Sequence, residues 1–179
     1  MTAGIVLAGG RSSRMGTDKA MLAWHGHPLI EHMRDILFAT GVAKVVISGN
    51  RPQYNGIPDR WPDAGPVGGL ASVADVLDDG ELLIVPVDMP ELTPEWLAPL
   101  LLATDEACAC WIAHPLPMRM RLDAHTRDVL ADMVSHPGRD CSIGGLQRRL
   151  GVAGLPVDAT DTRALRNCNT PDEWNEASL

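Results

Sequence analysis

IVLAGGRSSRMGTDKAML occupies residues 5–22. An apolar run stops at a pair of glycines, and two arginines, two serines, a third glycine, an aspartate and a lysine follow within nine residues. A short apolar run closed by Gly-Gly predicts a buried strand, AGIVLA, over 3–8. In open parallel α/β sheets ligands bind outside the C-terminal strand ends. Glycines let backbone N–H groups approach a ligand without Cβ obstruction, and such groups form anion-binding concavities. Arg11, Arg14 and Lys19 add movable positive charge, a planar fork from each arginine and a point charge from the lysine. On mechanics this is a polyphosphate cradle. The competing reading is a plain strand-to-helix turn with solvated arginines. Neither G-x-x-x-x-G-K-[ST] nor G-x-G-x-x-G fits the stretch.

Outward from it, strands and helices alternate. HGH (25–27) predicts a turn, and Pro28 suits the first turn of a helix. That helix carries Leu29, Ile30, Met33, Ile36 and Leu37 on one face and stops at Gly41. AKVVISGN (43–50) reads as a second strand, and residues 51–66, rich in proline, as mostly loop. GLASVADVLDDG (69–80) predicts a helix, ELLIVPVD (81–88) a third buried strand, 94–103 a helix opened by Thr93 and Pro94, and ACACWIA (107–113) a fourth strand. MRMRLDA (118–124) alternates as an antiparallel strand does. Helices over 125–134 and 142–150, a last strand in VAGLPV and a final helix in NTPDEWNEA, capped by Asn or Thr, complete the chain. The order predicts an α/β fold, a single three-layer α/β/α domain over 1–179 with a mostly parallel, Rossmann-like sheet.

Composition narrows the function. The chain has 179 residues, 45% apolar and 21% charged, as a soluble domain does. A net charge of −8 argues against a general nucleic-acid binder, which needs a basic face. An anionic small ligand then needs positive charge gathered locally. Lys19 is one of two lysines beside thirteen arginines. No signal peptide or membrane span is expected. Four cysteines without metal-ligand spacing read as small core residues in a reducing cytoplasm. The histidines form no nucleophile motif. Trp61, Trp111, Met118 and Met120 read as packing, and Arg148-Arg149 as a solvated helix face.

VPVDMP (85–90) places Asp88 at a buried strand's C-terminal end. Its carboxylate is either a loop cap or a metal ligand. With a polyphosphate at the first strand the ligand reading leads, because Mg²⁺ is typically held by one or two carboxylates together with phosphate oxygens. Asn169-Thr170-Pro171 reads equally as a helix cap, which leaves Asn167 unexplained.

Together these stretches resemble the molybdenum cofactor guanylyltransferase (MobA) family, among the nucleotidyltransferases of GT-A-like fold. LAGGRSSRMGTDK (7–19) is similar to its L-A-G-G-x-x-x-R-M-G-x-D-K signature. DAGPVGGL (63–70) resembles its G-P-L-A-G loop, with Val67 and Gly68 at the two varied positions. VPVDMP matches its D-x-P element and NCNTPDEW (167–174) resembles its N-x-N-T-P-E element. The resemblance implies Mg²⁺-dependent transfer of GMP from GTP to the phosphate of molybdopterin, with release of pyrophosphate. By carry-over, Leu7, Ala8, Gly9 and Gly10 would contact the guanine and its sugar. Arg14 and Lys19 would hold the triphosphate. Ser48 or Asn50, with Asp59, would complete the nucleotide pocket. Asp88 would hold Mg²⁺, and Asn167 and Asn169 would face the pterin-side substrate.

Cytidylyltransferases of the same pathway, which the chain also resembles, favour L-A-A-G, so Gly9 would admit the larger purine. Other readings are a related nucleotidyltransferase using CTP or another acceptor such as a sugar phosphate, and a non-catalytic nucleotide binder. That binder would serve cofactor delivery to molybdoenzymes or their chaperones. HPLPMRMRLD (114–123) and SHPGRDCSIGG (135–145) are the stretches where a second substrate is expected.

Overall fold

In a computed structural model, residues 1–9, 18–138, 140–157 and 162–177 are described. The elements in chain order begin with β1 (Thr2–Leu7), a hairpin of β2 (Ala23–Trp24) and β3 (His27–Pro28), α1 (Leu29–Ala39) and β4 (Lys44–Ser48). Then come α2 (Gly65–Ala74), β5 (Gly80–Pro86), α3 (Pro94–Leu102), β6 (Cys108–Trp111) and β7 (His114–Leu122). Next are α4 (Ala124–Ser135), α5 (Ile143–Leu150), β8 (Val152–Leu155) and α6 (Pro171–Ala177).

Six strands form one sheet in the order β4-β1-β5-β7-β6-β8. β1 pairs in parallel with β4 and β5, and β6 in parallel with β8; β7 runs antiparallel to both its neighbours. The sheet is therefore mostly parallel, as its alternating sequence predicts, with one reversed strand inserted. Period-two alternation separates two cores. Ala3 and Ile5 of β1 and Leu82 and Ile84 of β5 pack with α2, α4 and α5. Val6, Leu83 and Val85 pack with α1 and α3 on the opposite face. Helices on both faces make three layers.

Several boundaries differ from the sequence expectation, each for a local reason. The predicted helix over 69–80 is displaced to Gly65–Ala74, starting within the expected 51–66 loop. Pro66 sits in its first turn, where a missing N–H costs nothing. The third strand ends at Pro86, so Asp88 stands two residues beyond it, in the following turn. β7 begins at His114 rather than at 118. The prolines at 115 and 117 hide this start, since a strand interior rarely holds them. They fall within the register shift between Cys110 and Trp111, where ladder donors are not required. The hairpin turn places His25 and Gly26 at φ 48° and 85°, the backbone that a two-residue connection demands.

The alternation of β7 conceals one buried charge. Met118 and Met120 lie in the core, but Arg119 is also fully buried. Its guanidinium is held by Glu81 Oε2 at 2.9 Å and by the carbonyls of Ala103 and Glu106 at 2.6 and 2.5 Å. Arg148 and Arg149, as expected, are exposed and meet Asp140 and Asp132. Cys108 and Cys110 are both buried, and burial pushes the Cys108 thiol up to about 12.

Asp123 caps α4, its Oδ1 accepting the Thr126 N–H at 2.9 Å. That bond holds the Asp123 carboxyl below its usual range. We predict that Asp123→Ala costs about 1 kcal/mol at neutral pH, read as a melting shift of about 2–4 °C. A carboxyl with lowered folded pKa stabilises above the ordinary carboxylate range, and this is lost as pH falls through the folded value. The difference between variant and parent therefore shrinks in acid.

Candidate active site

β1, β4 and β5 are parallel neighbours, so their C-terminal ends open on the same sheet edge. Ala8 continues the β1 ladder, its N–H donating to the Ser48 carbonyl at 2.8 Å, and the Val87 N–H donates to the Leu7 carbonyl at 3.1 Å. The ends of β1 and β4 approach closely because residue 49 is glycine. It adopts φ 137°, and a Cβ there would lie 2.8 Å from the Gly9 nitrogen.

At this edge lies a cleft of about 840 Å³. Leu7, Gly9, Ser48, Asn50 and Asp59 all line it, with Gly65 and Gly69 from the first turns of α2. Five of the predicted nucleotide residues thus share one cavity. Ala8 is buried beside them. Gly10 and Arg14 lie outside the described residues. Between Ser48 and Asn50 the geometry distinguishes two kinds of contact. Ser48 is buried with Oγ turned toward Gly69, where a Cβ would come within 2.6 Å, whereas Asn50 is exposed in the cleft. Asp59 Oδ1 accepts the Trp61 N–H at 2.8 Å, which fixes the loop forming one wall. That loop also accounts for the departure from G-P-L-A-G. A Cβ on Gly68 would meet the Trp61 carbonyl at 2.2 Å.

Gly9 differs from these glycines. Among the described residues, a Cβ there would meet only the Gly49 Cα at 3.7 Å and the Ser48 oxygen at 3.8 Å, ordinary contacts. The described residues do not demand glycine at position 9, and Gly9 lines the cleft.

A second group sits at the same edge. Asp18 Oδ1 accepts the Ala20 N–H at 3.2 Å and so caps the 3₁₀ turn Lys19–Met21. From that turn Lys19 Nζ donates to Asn169 Oδ1 at 2.8 Å and lies 3.5 Å from Asp88 Oδ2. Both members of the ion pair are mostly buried, with side chains 15% and 20% exposed. Burial raises the Asp88 carboxyl, opposed by Lys19, and nearby Glu173 raises it further. Asp88 is tied in turn to the C-terminal segment, its carbonyl accepting the Cys168 N–H at 2.8 Å.

The divided reading of Asn169-Thr170 resolves. Thr170 Oγ1 accepts the Glu173 N–H at 3.3 Å while Glu173 Oε2 accepts the Thr170 N–H at 2.9 Å, a reciprocal capping box. Thr170 is the cap, which leaves the Asn169 side chain to Lys19. Trp174 of α6 packs edge-on against Trp24 of the hairpin, ring centroids 5.4 Å apart, and holds this segment against the Lys19 turn. Asn167 is exposed and lines a separate small cavity of about 60 Å³ with Glu91, Arg166 and Cys168. Among the described residues, those joined to Lys19 by side-chain hydrogen bonds are Asp88 and Asn169.

One contributor escapes the motif reading. Arg51, directly after Asn50, donates from Nη2 to Asp18 Oδ1 at 2.7 Å and also reaches the Ala8 carbonyl. The available signal is an arginine beside a predicted pocket residue in an acidic chain.

Among the described residues no group of three or more His, Cys, Asp and Glu side chains could hold a metal unaided. No helix is long and apolar enough to cross a membrane among the described residues.

Comparison with known proteins agrees with this geometry. The chain is 47% identical, over 173 residues, to a molybdenum cofactor guanylyltransferase of Xanthomonas euvesicatoria pv. vesicatoria, covering 96% of this chain and 92% of that protein. In fold it is similar to molybdopterin-guanine dinucleotide biosynthesis protein A from Archaeoglobus fulgidus (TM-score 0.74, 21% identity, 99% and 97% of the two chains). It is likewise similar to 2-C-methyl-D-erythritol 4-phosphate cytidylyltransferase from Thermus thermophilus (TM-score 0.72, 14% identity, 98% and 96% covered). Residues 4–141 match the family described as the MobA-like NTP transferase domain. With its glycine-lined cleft and the Lys19–Asp88 pair on one sheet edge, the chain belongs to the MobA-like NTP transferase family.

Proposed function

We propose that this protein transfers GMP from GTP to the terminal phosphate of molybdopterin and releases pyrophosphate, forming the molybdopterin guanine dinucleotide. The observation that carries the reading is the meeting, at one sheet edge, of a cleft sized for a nucleotide with a lysine–carboxylate pair. An oxygen of the acceptor phosphate attacks the α-phosphorus of GTP, and the bond from that phosphorus to the oxygen bridging toward the β-phosphate breaks. The acceptor is a phosphate monoester, whose second pKa is about 6, so it is ionised near neutral pH and needs no base from the chain. The barrier lies in bringing two anions together and accommodating charge on the leaving pyrophosphate. Positioning and fixed positive charge lower it.

In this scheme Leu7, Ala8, Gly9 and Gly10 cradle the base and sugar, with Asn50 and Asp59 at the wall. Ser48 supports the cleft floor. Arg14 and Lys19 neutralise the triphosphate, and the N-terminal turn of α2 turns the positive end of its dipole toward the cleft. Asn169 fixes the Lys19 ammonium on the proposed acceptor side, while Asn167 lies apart in its own small cavity.

Asp88 suits Mg²⁺. It is a hard oxygen donor in a largely buried position where its carboxyl is raised, so an added cation relieves its charge. Bound there with the triphosphate, Mg²⁺ would supply charge neutralisation of the phosphate groups. Four free thiols fit a reducing cytoplasm. Molybdoenzymes or their chaperones are the expected recipients of the product.

The base assignment has a direct test at Gly9. Because a Cβ there meets only ordinary contacts among the described residues, Gly9→Ala is expected to keep its fold and melting temperature. The added methyl enters the cleft and raises the KM for GTP about tenfold. The KM for CTP, a smaller pyrimidine, stays unchanged. An equal effect on both nucleotides, or on neither, removes Gly9 from base selection. With labelled GTP and a panel of acceptor phosphates, label should pass to molybdopterin; transfer only to a sugar phosphate overturns the acceptor assignment.

A further inference from the structure

Arg51 stands in the loop after β4, with its side chain only 16% exposed. It makes a two-sided grip. Toward Asp18 it presents both terminal nitrogens, Nη2 to Oδ1 at 2.7 Å and Nη1 to Oδ2. Toward Ala8 it presents Nη2 and Nε to one carbonyl, at 3.2 and 3.4 Å. Ala8 follows β1, and Asp18 caps the turn that carries Lys19. These two residues bracket residues 9–17 of the signature. Arg51 therefore ties the two ends of that segment together, from a loop remote in sequence.

The guanidinium is committed within the protein. Its positive charge is met by the Asp18 carboxylate, and the carboxyl is correspondingly held below its usual range. An arginine used in this way is not a ligand for a triphosphate. A planar fork satisfied at a carboxylate and a carbonyl is a geometric fastener. The fastening passes from Arg51 to Asp18, from Asp18 to the Ala20 N–H at 3.2 Å, and so to the turn from which Lys19 reaches Asn169 at 2.8 Å.

We propose that Arg51 is a positioning residue of the transfer reaction. It fastens Ala8 at the β1 end to Asp18 at the start of the Lys19 turn, and thereby sets where the Lys19 ammonium stands. The inference rests on the reading of this site as a GTP:molybdopterin transferase. A small displacement of a charge-stabilising group costs turnover more than affinity, because the group's strongest interaction comes in the transition state.

The test is a double-mutant cycle on the full chain, with Arg51→Gln, Asp18→Asn and the double variant, plus Arg51→Lys. Arg148→Gln, in an exposed ion pair, serves as the control and keeps parental activity. Each single variant lowers kcat by about 10- to 100-fold with GTP KM changed by less than about threefold. The double variant falls no more than about threefold below the worse single, because both changes cut the same link. Arg51→Lys does not restore kcat, since an ammonium cannot span both partners.

Losses that multiply in the double variant overturn the proposal. So does a loss of GTP affinity confined to the Arg51 variants, which would mean direct contact with nucleotide. Parental kcat in all of them overturns it as well. If the parent chain transfers nothing, the functional reading fails, and the clamp is read instead from amide exchange at Ala20. Exchange about tenfold faster in Arg51→Gln supports the clamp, and unchanged exchange overturns it.

Discussion

In Asp88→Asn, pyrophosphate release from GTP falls by about a thousandfold or more, while GTP binding persists within about tenfold. The substitution preserves shape and removes only charge. At this position charge is what the surroundings resist: burial raises the carboxyl, and Lys19 at 3.5 Å compensates in part. The fold maintains that cost at the ligand edge of the sheet. If Asp88 holds Mg²⁺ as proposed, the amide, a poorer ligand, loses the ion and with it turnover. The proposed nucleotide site, the cleft lined by Leu7, Gly9 and Asn50, does not include Asp88, so affinity should survive. Isothermal titration with GTP beside a pyrophosphate assay reads both.

The same residue predicts a pH dependence. On the proposed role of Asp88 the ionised carboxylate is the active form, so kcat/KM should decline as pH falls through the Asp88 pKa. Because that pKa is raised, the decline sets in above the ordinary carboxylate range. The residual activity of Asp88→Asn keeps only the decline that the acceptor phosphate imposes by its own ionisation at about 6. An Asp88→Asn enzyme that turns over at the parental rate would remove Asp88 from the chemistry. Loss of GTP binding together with turnover would place it in the nucleotide pocket instead.

Lys19→Ala carries the second large effect, a fall of about a thousandfold in kcat/KM, with both a higher KM for GTP and a lower kcat. On the proposed mechanism, removing Lys19 deletes a contact to the triphosphate that strengthens as the pyrophosphate leaves, so KM rises and kcat falls further still. Its ammonium is aimed by Asn169 at 2.8 Å and balanced by Asp88. Lys19→Arg restores little, because a planar fork does not fit a position shaped by one amide oxygen and one carboxylate oxygen. Steady-state kinetics with GTP varied at saturating acceptor separates the two components. Unchanged kinetics in Lys19→Ala would remove the residue from the site.

The legible parts of this molecule are those with local causes. Short apolar runs located β1, β4 and β5, the first two closed by glycine; the division of their side chains between two cores emerged with the packing. The ordered motifs converge on one sheet edge because three parallel strands end there. What was not legible depends on contacts distant in sequence. The start of α2 at Gly65 needs the Trp61 loop, whose carbonyl lies where a Cβ of residue 68 would stand. The first half of β7 is masked by prolines that fall in a register shift.

Arg119 looks like the polar member of an alternating strand, yet it is buried by a loop carbonyl cage sixteen and thirteen residues back. Asn169 and Thr170 are equivalent as caps in sequence. Lys19, 150 residues away from Asn169, distinguishes them. Arg51 belongs to no motif quoted above, because its role is to hold other residues.

The central claim is tested most directly by mass spectrometry of the product formed when the purified protein meets GTP, Mg²⁺ and molybdopterin. The account predicts the molybdopterin guanine dinucleotide, with one pyrophosphate released for each product molecule. Intact molybdopterin beside unconsumed GTP, or a dinucleotide formed only when CTP replaces GTP, would contradict it.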